Sequence, residues 1–184
     1  SNLADATAFS ACEAIGIGDD ISGTSCVTDN HRYVQYEVTL GGGWDLSTAV
    51  NDSVGISISS EETSPKGIFF KSDGTKMYVV GTSGDSIFQY SLATAWDAGS
   101  ATYDSKSFSI LSRDDAIKDL FFKPDGTKMY VTGRENDTVY QHSLSTAWDI
   151  STASYDSKLF ALTSQSIDGE MIFFKPDGTK LYAG

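Results

Sequence analysis

Charge is concentrated in six short polar stretches, and twelve side chains in them are the residues with which the chain could do chemistry. Three of the stretches are TDNHRY (28–33), GTSGDS (81–86) and GRENDT (133–138). The other three are SSEETSPKG (59–67), LSRDDAIKD (111–119) and LTSQSIDGE (162–170). The carboxylates of Glu61, Glu62, Asp85, Asp114, Asp115 and Glu135 are hard oxygen donors, suited to a Ca²⁺ ion or to sugar hydroxyls. Arg113, Arg134, Asp168 and Glu170 belong to the same set of twelve. His31 beside Arg32 is the best acid–base candidate, although no Ser, Cys or carboxylate is spaced to partner it. Against this stands a plainer reading, a solvated rim of the kind loops usually form. No cofactor is otherwise indicated, and Ca²⁺ is the open alternative.

Other reactive residue types have local explanations. Tyr90 precedes His142 by 52 residues in an equivalent context, so His142 reads as a strand residue rather than a catalyst. The Asp-Gly pairs lack the further oxygen ligands of a calcium-binding loop and read as turns. Asp45, Asp97 and Asp149 each follow a tryptophan and are placed to accept backbone hydrogen bonds. Cys12 and Cys26 fit no zinc pattern; a disulfide across a hairpin and two free thiols both remain open.

The elements that must position these residues are written by a repeat. FFKSDGTKMY (69–78), FFKPDGTKMY (121–130) and FFKPDGTKLY (173–182) are each 52 residues apart, as are Trp44, Trp96 and Trp148. Residues 67–118 and 119–170 align without a gap at about half identity. One unit reads as four short strands: one ending at Phe121-Phe122, one over 129–132, one over 138–144 and one near 154–162. Lys-Pro-Asp-Gly supplies a hairpin turn, with Gly at the positive-φ position. No stretch has a helical period.

Four antiparallel strands per 40–50 residues is the spacing of a β-propeller blade. The expected fold is therefore all-β: one propeller domain over 1–184, with blades near 12–60, 67–112 and 119–164 and a half blade at 171–184. The phenylalanines and tryptophans are the natural filling between blades. The two sets of polar stretches then lie on one face, around the mouth of the channel. Closed propellers have roughly four to eight blades, so about three and a half implies completion. Self-association, a longer parent chain, or a strand from residues 1–11 would each supply it.

KPDGTKMYV, a polar loop and VYQHSL resemble the SPDGKxLYV…xVxVxD pattern of the YVTN/lactonase-like propellers, over nearly the whole chain. The resemblance implies a propeller fold in a family that includes lactonases, surface-layer proteins and secreted binding proteins. The chain departs from that pattern in its added TAWDxSTAxYDS segment. It also lacks a set of acidic and basic residues matching a lactonase site, so no catalytic residue is carried over.

The formal charge of −12 and pI near 4.3 oppose binding to phosphate backbones, so nucleic acid is not an expected partner. No apolar run approaches the ~20 residues of a membrane span. The leading expectation is a non-enzymatic extracellular or surface-associated module for binding or structural assembly, with a protein or glycan ligand. A lactonase or other hydrolase on the loop face is the first alternative. A carbohydrate-binding propeller, with the repeated Trp as exposed platforms, is the second.

Overall fold

The computed structural model describes residues 34–41, 43–163 and 170–184. Twelve strands are present among them, all in antiparallel pairs. Two strands, β1 (Val34–Leu40) and β2 (Ala49–Ser57), form the first sheet. The next four, β3 (Pro65–Phe70), β4 (Lys76–Gly81), β5 (Ser86–Leu92) and β6 (Ala101–Ser109), form a complete meander. So do β7 (Ile117–Phe122), β8 (Lys128–Gly133), β9 (Thr138–Leu144) and β10 (Ala153–Ala161). A last pair, β11 (Ile172–Phe174) and β12 (Leu181–Ala183), repeats the first two strands of a meander. The 52-residue period is thus the period of a β-propeller blade. The first sheet corresponds to the outer half of a blade and the last to its inner half. The inner strands β3, β7 and β11 lie side by side in succession.

Each hairpin is set by its turn chemistry. In the third unit Gly126 takes φ +72°, its N–H donates to Lys123 O at 2.8 Å, and Asp125 accepts from the Thr127 N–H and hydroxyl. Trp148, itself at φ +66°, donates its N–H to Gly126 O at 3.1 Å and lays its indole across that turn. A Cβ on Gly126 would come within 2.4 Å of the indole nitrogen, so glycine meets a steric as well as a conformational demand. Trp96 covers Gly74 in the same way. Each Trp-Asp corner then enters a three-residue 3₁₀ turn. The carboxylate of Asp45, Asp97 or Asp149 caps it by accepting from the N–H two residues on.

The outermost strands carry a bulge. Ser105 and Ser157 adopt positive φ, and the register with the neighbouring strand slips there. The slip turns Asp104 toward Gln89 at 2.7 Å, Ser91 at 3.0 Å and Lys76 at 3.2 Å. Asp156 receives Gln141, Ser143 and Lys128 in the same way. Burial pushes the Asp156 carboxyl up, but these donors together outweigh it and bring it down to about 2.

The core lies between blades. Phe69, Tyr78, Phe122 and Trp148 stack across the junction of the two complete sheets, with Tyr78 and Phe122 rings 4.5 Å apart. Three polar contacts lock the Trp-Asp corner of one blade onto the blade before it. The Tyr78 hydroxyl donates to Trp148 O at 2.7 Å, Gln89 Oε1 accepts from Ile150 N at 3.0 Å, and Lys106 pairs with Asp149 at 2.7 Å. Ile150 is fully buried in this junction.

Candidate functional site

The loops joining second to third strands and those joining one blade to the next meet on a single face. Their contact is built from a turn that recurs. After β2, Glu61 N and Glu62 N both donate to Ile58 O; after β6, Arg113 N and Asp114 N both donate to Ile110 O. The turn throws Glu62 and Asp114, 52 residues apart, back over the end of a neighbouring strand. Glu62 Oε1 accepts from Ser64 N, Ser83 N and the Ser83 hydroxyl. Asp114 accepts from Ala116 N, Glu135 N and Asn136 N. Both side chains are buried. Gly81 and Gly133 lie directly beneath them, where a Cβ would meet the carboxyl group at 2.2 and 2.3 Å. These two carboxylates tie the loops together, and three donors apiece explain why a charge is tolerated there.

Asp85 lies near both clasps, within electrostatic reach of Glu62 and Asp114. It sits at φ +45°, and its carbonyl accepts from Ile110 N at 3.0 Å. Its side chain is nine-tenths buried, and Oδ1 has no hydrogen-bond partner. Glu62 Oε2 is likewise buried and unpartnered. Burial raises the Asp85 carboxyl above the ordinary range, the charges of Asp115, Glu62 and Asp114 raise it further, and the Ile117 amide opposes them. A carboxylate in such surroundings accepts a proton more readily than an exposed one, which suits general-base work.

The remaining loop residues divide by contact. Glu61 accepts from Tyr90 OH at 3.3 Å and Ser60 at 2.7 Å. Arg113 lies over the Tyr155 ring at 3.7 Å, and its carbonyl accepts from Tyr140 OH. Arg134 and Lys118 approach Glu170 at 4.0 and 3.5 Å. Asp115 and Glu135 are exposed. His31, Arg32, Asp168 and the pair Cys12 and Cys26 lie outside the described residues. Among the described residues no group of three or more His, Cys, Asp or Glu side chains is arranged to hold a metal ion. No described helix is long and apolar enough to cross a membrane.

Two further groups lie on strands, His142 buried and Asp119 half-buried. His142 is enclosed by Phe108 and Tyr155, with ring centroids at 5.1 and 5.6 Å, and its Nδ1 has no partner. Burial, assisted by Arg113, lowers its pKa to about 4, so the ring is neutral. Asp119, on the inner strand β7, accepts from Leu120 N at 2.8 Å and Ile172 N at 2.9 Å, bridging to the last pair of strands. Sequence reasoning passed over Asp119; the signal was Gly67 at the same place one repeat earlier, where the inner strands approach closely. The tryptophans are not equivalent platforms: Trp44 and Trp96 are exposed, whereas Trp148 is packed between blades.

No family model matches the chain, and no curated protein matches it. Solved structures do. A candidate 6-phosphogluconolactonase from Bacteroides uniformis superposes with a TM-score of 0.53 at 16% identity, covering 84% of this chain and 48% of that one. One from Bacteroides fragilis gives 0.51 at 17% identity, covering 76% and 35%. The chain therefore spans half or less of the length of these proteins, and it has the fold of the lactonase/YVTN-like propellers.

Proposed function

We propose that the loop face is a hydrolytic centre acting on an uncharged lactone, with Asp85 as the base. The observation that carries the reading is the pair of buried, unpartnered carboxylate oxygens, Asp85 Oδ1 and Glu62 Oε2, on this face. Asp85 takes a proton from water as the water oxygen bonds to the lactone carbonyl carbon. The ring C–O bond then breaks, and the departing alkoxide takes that proton, leaving a hydroxy acid. The fold shared with candidate 6-phosphogluconolactonases supports this class of chemistry. The charge of −12 and the engagement of Lys118 and Arg134 with Glu170 disfavour a phosphorylated substrate, which is why the uncharged lactone is preferred. The test is hydrolysis of glucono-δ-lactone and its 6-phosphate above the spontaneous rate. Asp85→Asn should lower kcat/KM by about 100-fold or more while the fold is kept. Wild-type rates no higher than Asp85→Asn rates would remove the proposal.

A second reading, a module for binding or assembly without catalysis, is favoured by a different observation. Among the described residues the first and last sheets leave Trp44, Leu46, Phe173 and Tyr182 exposed, the rest of the unit expected over 12–60 lying outside the described residues.

A further inference from the structure

The Glu62 clasp differs from the Asp114 clasp one repeat on in that it holds a hydroxyl. Asp114 binds its loop through the backbone N–H groups of Glu135 and Asn136, with no side-chain donor among its bonds to that loop. Glu62 Oε1 takes the equivalent backbone group, Ser83 N, at 3.1 Å, and the Ser83 hydroxyl besides. The residue at the place of Ser83 in the next repeat is Glu135, which has no hydroxyl. The clasp therefore closes without one, and the Ser83–Glu62 bond is an addition that the repeat does not require.

The bonds around Ser83 Oγ decide where its electron pairs point. The Thr63 N–H donates to it at 3.1 Å. That group can only donate, so the hydroxyl proton is directed at Glu62 Oε1. Of the two lone pairs on Oγ, Thr63 takes one, and the other is left for a reacting partner on a residue that is exposed. Glu62 is buried and its Oε2 accepts no hydrogen bond. An accessible hydroxyl within hydrogen-bond reach of an enclosed carboxylate is the arrangement of a nucleophile with its base. The approach to Oγ is also open. Gly84 follows Ser83, and beyond its chain neighbours a Cβ there would meet only the Ser86 hydroxyl, 3.9 Å away. In the next repeat Asn136 stands at that position, with its amide bonded to Arg113 O at 2.7 Å.

We propose that Ser83 is a nucleophile that accepts an acyl group from an uncharged activated ester, with Glu62 as its base. Oγ bonds to the ester carbonyl carbon as its proton passes to Glu62 Oε1. The bond from that carbon to the leaving oxygen breaks, and the departing oxygen takes the proton away as an alcohol. Water then attacks the ester carbon on Ser83 and gives a proton to Glu62. The Oγ–C bond breaks, Oγ recovers the proton, and a carboxylic acid is freed. Asp85, Asp114 and Asp115 stand in the same loops and repel an anionic ester, which sets the preference for an uncharged one. The inference does not rest on the hydrolytic reading of Asp85, because acylation leaves a covalent mark whether or not a lactone is turned over.

An uncharged alkyl phosphonofluoridate tests the first step. Oγ bonds to phosphorus, the proton passes to Glu62, fluoride leaves, and the adduct persists. The wild-type chain should gain one phosphonyl group, placed on Ser83 by peptide mass spectrometry, and Ser83→Ala should gain none. Glu62→Gln keeps an amide oxygen for the Ser64 and Ser83 N–H groups, so the clasp is retained, and it should slow labelling by about 100-fold. Ser86→Ala, in the same loop, should be labelled at the wild-type rate. An unmarked wild type would overturn the proposal, as would a mark on another residue or a Glu62→Gln rate equal to that of the wild type. The two readings fail separately. An unmarked chain that opens glucono-δ-lactone removes Ser83 and spares Asp85, and a marked chain inert to lactones does the reverse.

Discussion

Two junctions in this molecule are made from the same residues in the same places, and only one is closed. Between the complete sheets, Trp148 and Ile150 fill the wedge and three polar contacts fasten it. At the β11–β12 end the aromatic frame is equally well formed, yet Phe160, Phe173 and Tyr182 remain exposed. The inner hairpins thus reach their packed geometry without the tryptophan. The wedge residue adds stability and water exclusion to a frame that the strands already define.

Substitutions at paired positions should separate the two junctions. The largest effect is expected from Trp148→Ala, which empties the closed wedge and should cost about 4 kcal/mol in chemical denaturation, whereas Trp44→Ala in dilute chain should cost under about 0.5 kcal/mol. Acid should attack the closed junction next, through His142. Its folded pKa is about 4 and its unfolded pKa about 6.5. The contribution is intact above pH 6.5. Below that the unfolded chain binds the proton first, and stability falls by about 3 kcal/mol by pH 4. His142→Tyr, which copies Tyr90 of the preceding blade, should flatten that part of the pH–stability curve.

Glycine substitutions isolate the indole. Gly126→Ala meets both a positive φ and the Trp148 ring and should cost about 3 kcal/mol; Gly178→Ala meets the φ alone and should cost about 1 kcal/mol. Equal losses would mean that the tryptophan yields freely. The smallest difference is expected for the half-exposed Lys106–Asp149 pair. Lys106→Ala should lower stability by about 0.5–1 kcal/mol and Lys158→Ala should have no measurable effect in dilute chain.

The strands were legible because a strand's period and its turn residues are local, and three copies of one decapeptide fix the phase. The Asp-Gly turns, the strand over 138–144 and the capping aspartates after each Trp are where the residues place them. The loop face was legible only as a location. Glu62 and Asp114 read as ordinary loop carboxylates, and their burial depends on glycines 19 residues downstream, Gly81 and Gly133, that leave room beneath them. Asp104 and Asp156 drew no notice at all, because their role depends on a register slip rather than on residue type. Of the three tryptophans expected between blades, Trp148 is there, whereas Trp44 and Trp96 are exposed. That each tryptophan also enters its corner with the backbone at positive φ becomes visible only in the structure.

That register slip also governs what the rim of the molecule can become. An outermost strand ordinarily offers a row of unpaired amides on which a stranger's strand can grow into a fibril. Here each rim is kinked at a serine, and a carboxylate is drawn inward to three donors at the kink. Growth by lateral stacking is thereby discouraged along β6 and β10.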